Sequence, residues 1–483
     1  MYLGLDLGTS GLRGLLVSAE GTIVGDAAAD YTVRYPKPGW SEQDPHSWIA
    51  GCKEVVSRLR HKYSKEFGAI KGIGVSGHMH GATCIDAAGD IIRPCILWND
   101  TRSEKEAAEL DRMSDFRRLS GNIVFPGFTA PKLMWMARHE PNNFARVAKV
   151  LLPKDYLVYW LTGRLNSDMS DAAGTSWLDV GGRHWSDALI RASGMRNDQL
   201  PDISEGTDVV GSLRAAVASE LALGKDVAVV AGAADNAASA CGIGAFEEGL
   251  GFVSLGTSGV LFAAKDSYMP EPASAVHTFC HAVPSKWYQM GVILSATDSL
   301  NWIGKTVKRQ TIELAGQMPD VASGPASTLF LPYLSGERTP HNDATARGAF
   351  IGLSKTTDDK ILCQSVMEGV SFALRDCLEA LKTTATSLPS VLAIGGGSSS
   401  DFWLDTLANT LGIPIHLPVK GDFGAALGAA RLAMVGVSGA SLAKVMTQPA
   451  IQKTFEPNPQ LMPLYDEAYQ KYMKSYWALK ELM

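Results

Sequence analysis

Two stretches of this chain have the composition of a phosphate cradle. Residues 3–12 read LGLDLGTSGL and residues 251–260 read GFVSLGTSGV, so one Leu-Gly-Thr-Ser-Gly element occurs twice. Each lies between apolar runs and reads as a β-hairpin tip, which aims several backbone N–H groups and two hydroxyls at one point. One copy alone would be an ordinary turn. Two copies at matching points of a repeated chain predict opposed loops closing on one nucleotide, with Thr9 and Ser10 in one and Gly256 and Thr257 in the other. The copies differ at Asp6, whose counterpart is Ser254. A carboxylate beside phosphates suits Mg²⁺ held through water, because that ion keeps much of its hydration shell. The plainer reading is an Asp closing a hairpin.

Further residues have chemical potential. Asp235-Asn236 stands where a very apolar run meets a string of Ala and Gly. A lone charge there is costly unless paired or needed, which suggests a general base, yet Asp is equally at home as a helix N-cap. Gly395-Gly396-Gly397 ends an apolar strand and opens SSSDFWLDTLANTL, a helix pattern that includes Asp401; glycines there let a ligand approach the backbone closely. His78-Met79-His80 invites a metal reading, but a third ligand is not nearby and HExxH spacing is absent. A histidine donor-acceptor in a polyol pocket fits better, with a satisfied core histidine as its rival. Trp98 and Asn99 could offer a sugar an apolar face and hydrogen bonds. His277, His281, Asp168, Asp171 and Arg338 receive no role from residue type.

The elements that position these groups follow from the repeat. Ile70–Gly77 and Val391–Gly397 both read as buried strands ending in small residues, and Val227–Ala231 and Pro414–Leu417 form a second matched pair. Strands alternating with helical patterns predict an α/β fold of two lobes, 1–243 and 244–483. The interval from Gly77 to Asp226 is far longer than its counterpart from Gly397 to Ile413. The first lobe therefore carries an insertion at about 78–226, at the strand ends where open α/β sheets bind ligands. Residues 458–483 show a helical period through Leu464, Ala468, Tyr472, Tyr476 and Leu479, as expected of a helix packing on the second lobe.

Composition excludes several classes. With 44 basic and 50 acidic residues the net charge is −6, and the absence of a basic run argues against nucleic acid. The 7 cysteines are scattered and never spaced CxxC, a reduced-thiol pattern expected of a cytoplasmic protein without structural zinc. The first residues lack a basic leader, and no run of apolar residues is long enough to span a membrane.

The paired LGTSG loops together with GHMHG, ILWND, PGFTAPKLMW, LLPKDYL, SDMSDAAGTSWLD, GAADNAA and LPYLSGERTPHN resemble the FGGY carbohydrate kinases, in the branch that phosphorylates D-xylulose. That resemblance implies two ribonuclease-H-like lobes, each with a five-stranded mixed sheet, and a cleft between them. It implies ATP and Mg²⁺, transfer to the sugar's 5-hydroxyl, and compatibility with a homodimer. Residue by residue it implies Asp235 as catalytic base, Asn236, Met79 and His80 at the sugar, Asp6 on the metal and phosphate side, and Thr257, Gly396, Gly397 and Asp401 at the nucleotide. It leaves open a sister kinase for another ketopentose or a pentitol, and a non-catalytic ATP-gated sugar-binding protein. The family's commoner GGGDN stands here as GAADN, so Ala233 and Ala234 must keep ordinary dihedrals.

The asymmetry of the loops yields a first test. Asp6→Ala should raise the Mg²⁺ requirement and cut turnover more than sugar affinity, whereas Thr257→Val should chiefly weaken nucleotide binding. An Asp6→Ala enzyme impaired in sugar affinity alone, in a metal and sugar titration, contradicts this division.

Overall fold

The computed structural model describes residues 1–419 and 424–482. Part of the KGDFGAALGAA stretch paired with GAADNAA in the repeat, residues 420–423, lies outside them. In the first lobe β1 (Tyr2–Leu7), β2 (Gly11–Val17) and β3 (Ile23–Asp30) form an antiparallel meander, followed by α1 (Pro45–Lys62) and the parallel strand β4 (Gly72–Gly77). After α2 (Thr129–His139) and α3 (Pro153–Thr162) come β5 (Val209–Ser212), β6 (Ala228–Val230), β7 (Ala233–Ala234) and α4 (Asp235–Ile243). The second lobe holds β8 (Gly251–Leu255), β9 (Gly259–Lys265), β10 (His277–Cys280), β11 (Trp287–Ile293), α5 (Thr297–Thr306), α6 (Asp359–Lys382), β12 (Val391–Ile394), α7 (Asp401–Leu411), β13 (Ile415–Pro418), α8 (Ala425–Ser438), β14 (Ile451–Phe455) and α9 (Met462–Leu479).

The repeat extends to the sheets. The first runs β5-β6-β4-β1-β2-β3 with β7 also on β4, and the second runs β10-β11-β9-β8-β12-β13-β14. Hairpin, two parallel neighbours and an antiparallel edge match strand for strand. Each sheet has seven strands rather than the expected five. In the first lobe, β5 comes from within the stretch read as insertion, and β7 is a separate pair of residues beyond a kink. In the second lobe, β10 and β14 extend both edges.

Glycines bring backbones together between the lobes. The helix α8 follows β13 of the second sheet but packs on the first. A Cβ at Gly4 would stand 1.9 Å from the Ala426 carbonyl oxygen, one at Gly74 1.9 Å from that of Ala429, and one at Gly428 1.7 Å from that of Ala238 on α4. Only hydrogen fits there. The core around α4 and α8 accordingly runs from Tyr2 and Leu15 of one sheet to Phe252, Phe262 and Tyr288 of the other.

The insertion has a core of its own, with Leu110, Leu133, Trp177 and Leu189 fully or almost fully buried. It also reaches the second lobe: Asn122 Nδ2 donates to the Thr278 carbonyl (2.8 Å) while Asn122 Oδ1 accepts from the Thr278 N–H (3.0 Å), covering the edge strand β10. The last helix, α9, packs on the second lobe through Tyr472 and Tyr476, as expected, and through Tyr465 and Tyr469, which the expected period did not include. Leu464, expected on the buried face, is 46% exposed. The aromatic stripe at i, i+4, i+7 and i+11 buries more surface than the aliphatic one beside it. All seven cysteines are buried and free, and no helix among the described residues is long and apolar enough to cross a membrane.

Gly428→Ala forces a methyl into the Ala238 carbonyl, so it should lower the unfolding free energy by about 1–3 kcal/mol or more. An unchanged midpoint in denaturant unfolding contradicts backbone contact at this crossing.

Candidate active site

Asp6 and Asp235 lie at the same end of the first sheet, where β1, β4 and β7 finish. Asp6 pairs in register with Ser76 on β4, Ser76 pairs on its other side with Ala233, and Asp235 follows two residues later. Neighbouring strands lie ~5 Å apart, so roughly 10 Å of sheet separates the two backbones, near enough for the charge of Asp6 to act on Asp235. The Ser76 hydroxyl donates to Asp6 Oδ1 at 2.8 Å. Asp235 is the first residue of α4, and Ala234 occupies the cap position, so the N-cap reading does not hold. Asp235 Oδ1 accepts from the N–H of Asn236 (2.7 Å) and from Asn236 Nδ2 (3.0 Å). Loss of solvent and the negative charge of Asp6 raise the Asp235 pKa to about 7, against the two Asn236 bonds that lower it.

Both expected phosphate loops are present and gripped from behind. In the first, the carbonyl of Gly8 accepts from Tyr31 Oη (2.7 Å), that of Thr9 from Gln43 Nε2 (3.0 Å), and that of Ser10 from the Tyr31 N–H (3.0 Å). In the second, the N-terminal end of α5 binds the carbonyls of Gly256 and Thr257. A trans peptide points its N–H opposite to its C=O, so the amides of Thr9, Ser10, Thr257 and Ser258 face away from these donors. That is the geometry an anion needs. The two hairpins differ by one residue in register, Leu7↔Leu12 against Leu255↔Gly259. Beside the second loop, Gly395 takes φ +88°, Gly397 packs on Leu255, and a Cβ at Gly396 would have no neighbour within 4 Å. The floor there is open backbone. Asp401 begins α7 and is bound by Lys453 Nζ at 2.6 Å.

Residues at the expected sugar site come from the insertion side. His80 has φ +70°, unusual for a side chain, and its Nδ1–H donates to the Gly174 carbonyl at 2.7 Å. This tautomer leaves Nε2 as an acceptor. Loss of solvent, which outweighs the Gly174 bond, lowers the His80 pKa to about 3, so the ring is neutral. The His80 carbonyl accepts from Lys132 Nζ (2.8 Å) and Thr129 Oγ1 (3.1 Å), both on α2, and the ring stacks on Phe128 at 4.4 Å. PGFTAPKLMW is thus the clamp that holds His80 in its strained backbone. Met79 is buried, with the Tyr288 hydroxyl 4.0 Å from its Sδ. Trp98 is 43% exposed and donates from Nε1 to Thr9 Oγ1 at 3.0 Å, which ties it to the first phosphate loop. Asn99 is exposed.

Sequence reasoning missed several residues. A Cβ at Gly174 would lie 2.6 Å from His80 Cε1 and 2.8 Å from Met79 Cε, so SDMSDAAGTSWLD supplies a glycine under the sugar-site pair. Arg338 of the second lobe lies over the Phe125 ring at 4.6 Å, with NH1 3.4 Å from His277 Nε2. The carboxylates of Asp155, Asp168 and Asp171 are close enough to share a cation, but Lys154 Nζ is among them, 2.5 Å from Asp155 and 2.8 Å from Asp168. An ammonium already fills the cation's role.

Family models match both lobes: the FGGY family of carbohydrate kinases, N-terminal domain, over residues 1–242, and its C-terminal domain over residues 251–437. The chain belongs to the FGGY family. It is similar to the xylulose kinase of Escherichia coli, at 42% identity over the whole of both chains. Among solved structures, a xyloylose kinase from Brucella ovis matches at 54% identity, TM-score 0.98 and full coverage of both chains. A gluconate kinase from Lactobacillus acidophilus matches at 26% identity and TM-score 0.92, covering 99% of this chain and 98% of its own. The protein is therefore an ATP-dependent sugar kinase, and its fold alone does not name the sugar.

For this kinase the paired carboxylates also fit a divalent cation. The negative charge of Asp6 acts on Asp235, and both side chains offer the oxygen donors that suit Mg²⁺. Asp6 is the carboxylate on the loop side. A base must be ionised to accept a proton, so kcat/KM for the sugar should fall about tenfold per pH unit below pH ~7. Asp6→Asn removes the neighbouring negative charge and should move that limb to lower pH. A flat profile between pH 5.5 and 8 contradicts Asp235 as the titrating group.

Proposed function

We propose that this kinase transfers the γ-phosphoryl group of ATP to the 5-hydroxyl of D-xylulose, giving D-xylulose 5-phosphate and ADP in the cytoplasm. The observation that carries the chemistry is Asp235. It opens α4 directly after β7, the strand that pairs with Ser76 beside Asp6, with a pKa raised to about 7 by lost solvent and by Asp6. The choice of sugar is supported by the names of the relatives and by the shared insertion motifs.

Asp235 accepts the proton of the 5-hydroxyl as that oxygen attacks phosphorus in line; the new O–P bond forms as the bond to the ADP oxygen breaks. The amides of Thr9, Ser10, Thr257 and Ser258 bind phosphate oxygens beside Gly256, and Gly396, Gly397 and Asp401 border the rest of the nucleotide. Asp6 would hold Mg²⁺ through water, and the ion would supply charge neutralisation at the phosphates. His80 Nε2 accepts from a sugar hydroxyl, while Met79, Trp98, Asn99 and Asn236 complete the pocket. Closure of the lobes on the sugar excludes water and limits wasteful hydrolysis of ATP.

ADP release measured on D-xylulose, other ketopentoses, pentitols, gluconate and glycerol tests the substrate. D-xylulose should give the highest kcat/KM; a better pentitol or aldonate overturns the assignment, and no ADP release with any sugar points to a non-catalytic binder. Asp235→Asn should lower kcat by ~10²–10⁴-fold while ATP still binds. Near wild-type turnover by this variant overturns the base.

A further inference from the structure

The segment that delivers Asp235 is a break in the first sheet. Between β6 and β7 the chain turns at Gly232, with φ +84°, and a Cβ there would lie 1.9 Å from the Val75 carbonyl oxygen. Sheet hydrogen bonding is interrupted there, so the backbone polar groups need other partners. All four partners found come from residues 154–208. The N–H of Ala231 donates to the Asp208 carbonyl (2.9 Å) and that of Gly232 to the Gly206 carbonyl (3.0 Å). The Ala231 carbonyl accepts from Lys154 Nζ at 3.2 Å. The Ala234 N–H, one residue before Asp235, donates to Ser170 Oγ at 3.0 Å.

The last two contacts belong to one buried network. Lys154 Nζ pairs with Asp155 Oδ1 (2.5 Å) and Asp168 Oδ1 (2.8 Å). Asp168 Oδ2 accepts from the Ser170 hydroxyl (2.5 Å), from the Ser170 N–H (2.7 Å) and from the Asp171 N–H (3.3 Å). Ser170 therefore gives its proton to Asp168 and turns its lone pair on the Ala234 amide. Lys154, Asp155, Asp168 and Ser170 are all at most 1% exposed. Burial opposes the charge of Lys154, but the carboxylates around it outweigh burial and keep it protonated. Burial holds Asp171, whose oxygens have no hydrogen-bond partner, far above the usual carboxylate range.

We infer that Lys154 and Ser170 are positioning residues for the base: through Ala231 and Ala234 they set the place and direction of Asp235 at the mouth of α4. This rests on Asp235 being the base. It gives LLPKDYL and SDMSDAAGTSWLD a function apart from reading the sugar, because the insertion grips the strand break that carries the chemistry. A base displaced by about 1 Å can lose on the order of 10²-fold in rate while substrates still bind.

The test uses the full-length enzyme with D-xylulose and ATP. Ser170→Ala should lower kcat by ~10–100-fold, leave KM for both substrates within a few-fold, and leave the thermal midpoint nearly unchanged. Ser170→Thr keeps the hydroxyl and should recover most of the loss. A double-mutant cycle separates positioning from general damage: Ser170→Ala added to Asp235→Asn should cost almost nothing further, since there is no base left to place. Lys154→Met should follow Ser170→Ala in kcat; if it does not fold, the Ser170 cycle decides alone. Unchanged kcat in Ser170→Ala, or a full additional loss in the double variant, overturns the inference. Wild-type turnover by Asp235→Asn itself overturns the base instead, so the two failures are distinct.

Discussion

Contact of backbone with backbone at the α4–α8 crossing is the constraint on which the site depends. Gly428 lies against the carbonyl of Ala238, and Gly4 and Gly74 let α8 rest directly on β1 and β4. A helix that follows a strand of the second sheet is thereby bound to the first, and α4 packs against that same helix. Asp235 opens α4, so its position relative to Asp6 follows from how closely these backbones approach. Any side chain larger than hydrogen would push α8 outward and shift both elements.

Electrostatics inside the first lobe divides into two buried groups of opposite design. The Asp235 pKa is raised to about 7 by burial first and by the charge of Asp6 second. A carboxylate so raised is near the point where it can take up a proton. A short way off, Lys154 stays protonated among Asp155, Asp168 and Asp171 and pairs with the first two, while burial holds Asp171 far above the usual carboxylate range. A compensated cluster of this kind contributes little net stability but fixes geometry, because each charge has one low-energy place to be. The reactive pair borrows its precision from the inert cluster.

The proposed sugar site lies along a seam between chain segments. His80, Phe125 and Phe128 from the insertion meet His277, Phe279 and Arg338 from the second lobe through stacked and tilted rings. The insertion belongs to the first lobe and also covers β10. Edge strands need such cover, since their free N–H and C=O groups would otherwise pair with a foreign chain. One segment thus covers an edge, clamps His80 and grips the approach to Asp235.

The amino-acid sequence by itself determined the repeat, the two hairpin loops, the parallel strands behind them, the insertion and the family. These features are written in local periodicity and in short motifs, and each needs only neighbouring residues to be recognised. It also determined that GAADN would keep ordinary dihedrals at Ala233 and Ala234, which form β7, while Gly232 alone turns left-handed. Tertiary structure decided what depends on distant partners: seven strands per sheet, the one-residue difference between the hairpins, the tyrosine face of α9, and Asp235 as a helix opener rather than a cap. It also decided the roles of Gly174, Lys132, Lys154 and Ser170, residues that look like glycine turns, surface lysines and a helix serine in one dimension. Their meaning lies in a single contact each, to His80 or to the strand before Asp235, across chain separations that no local pattern encodes.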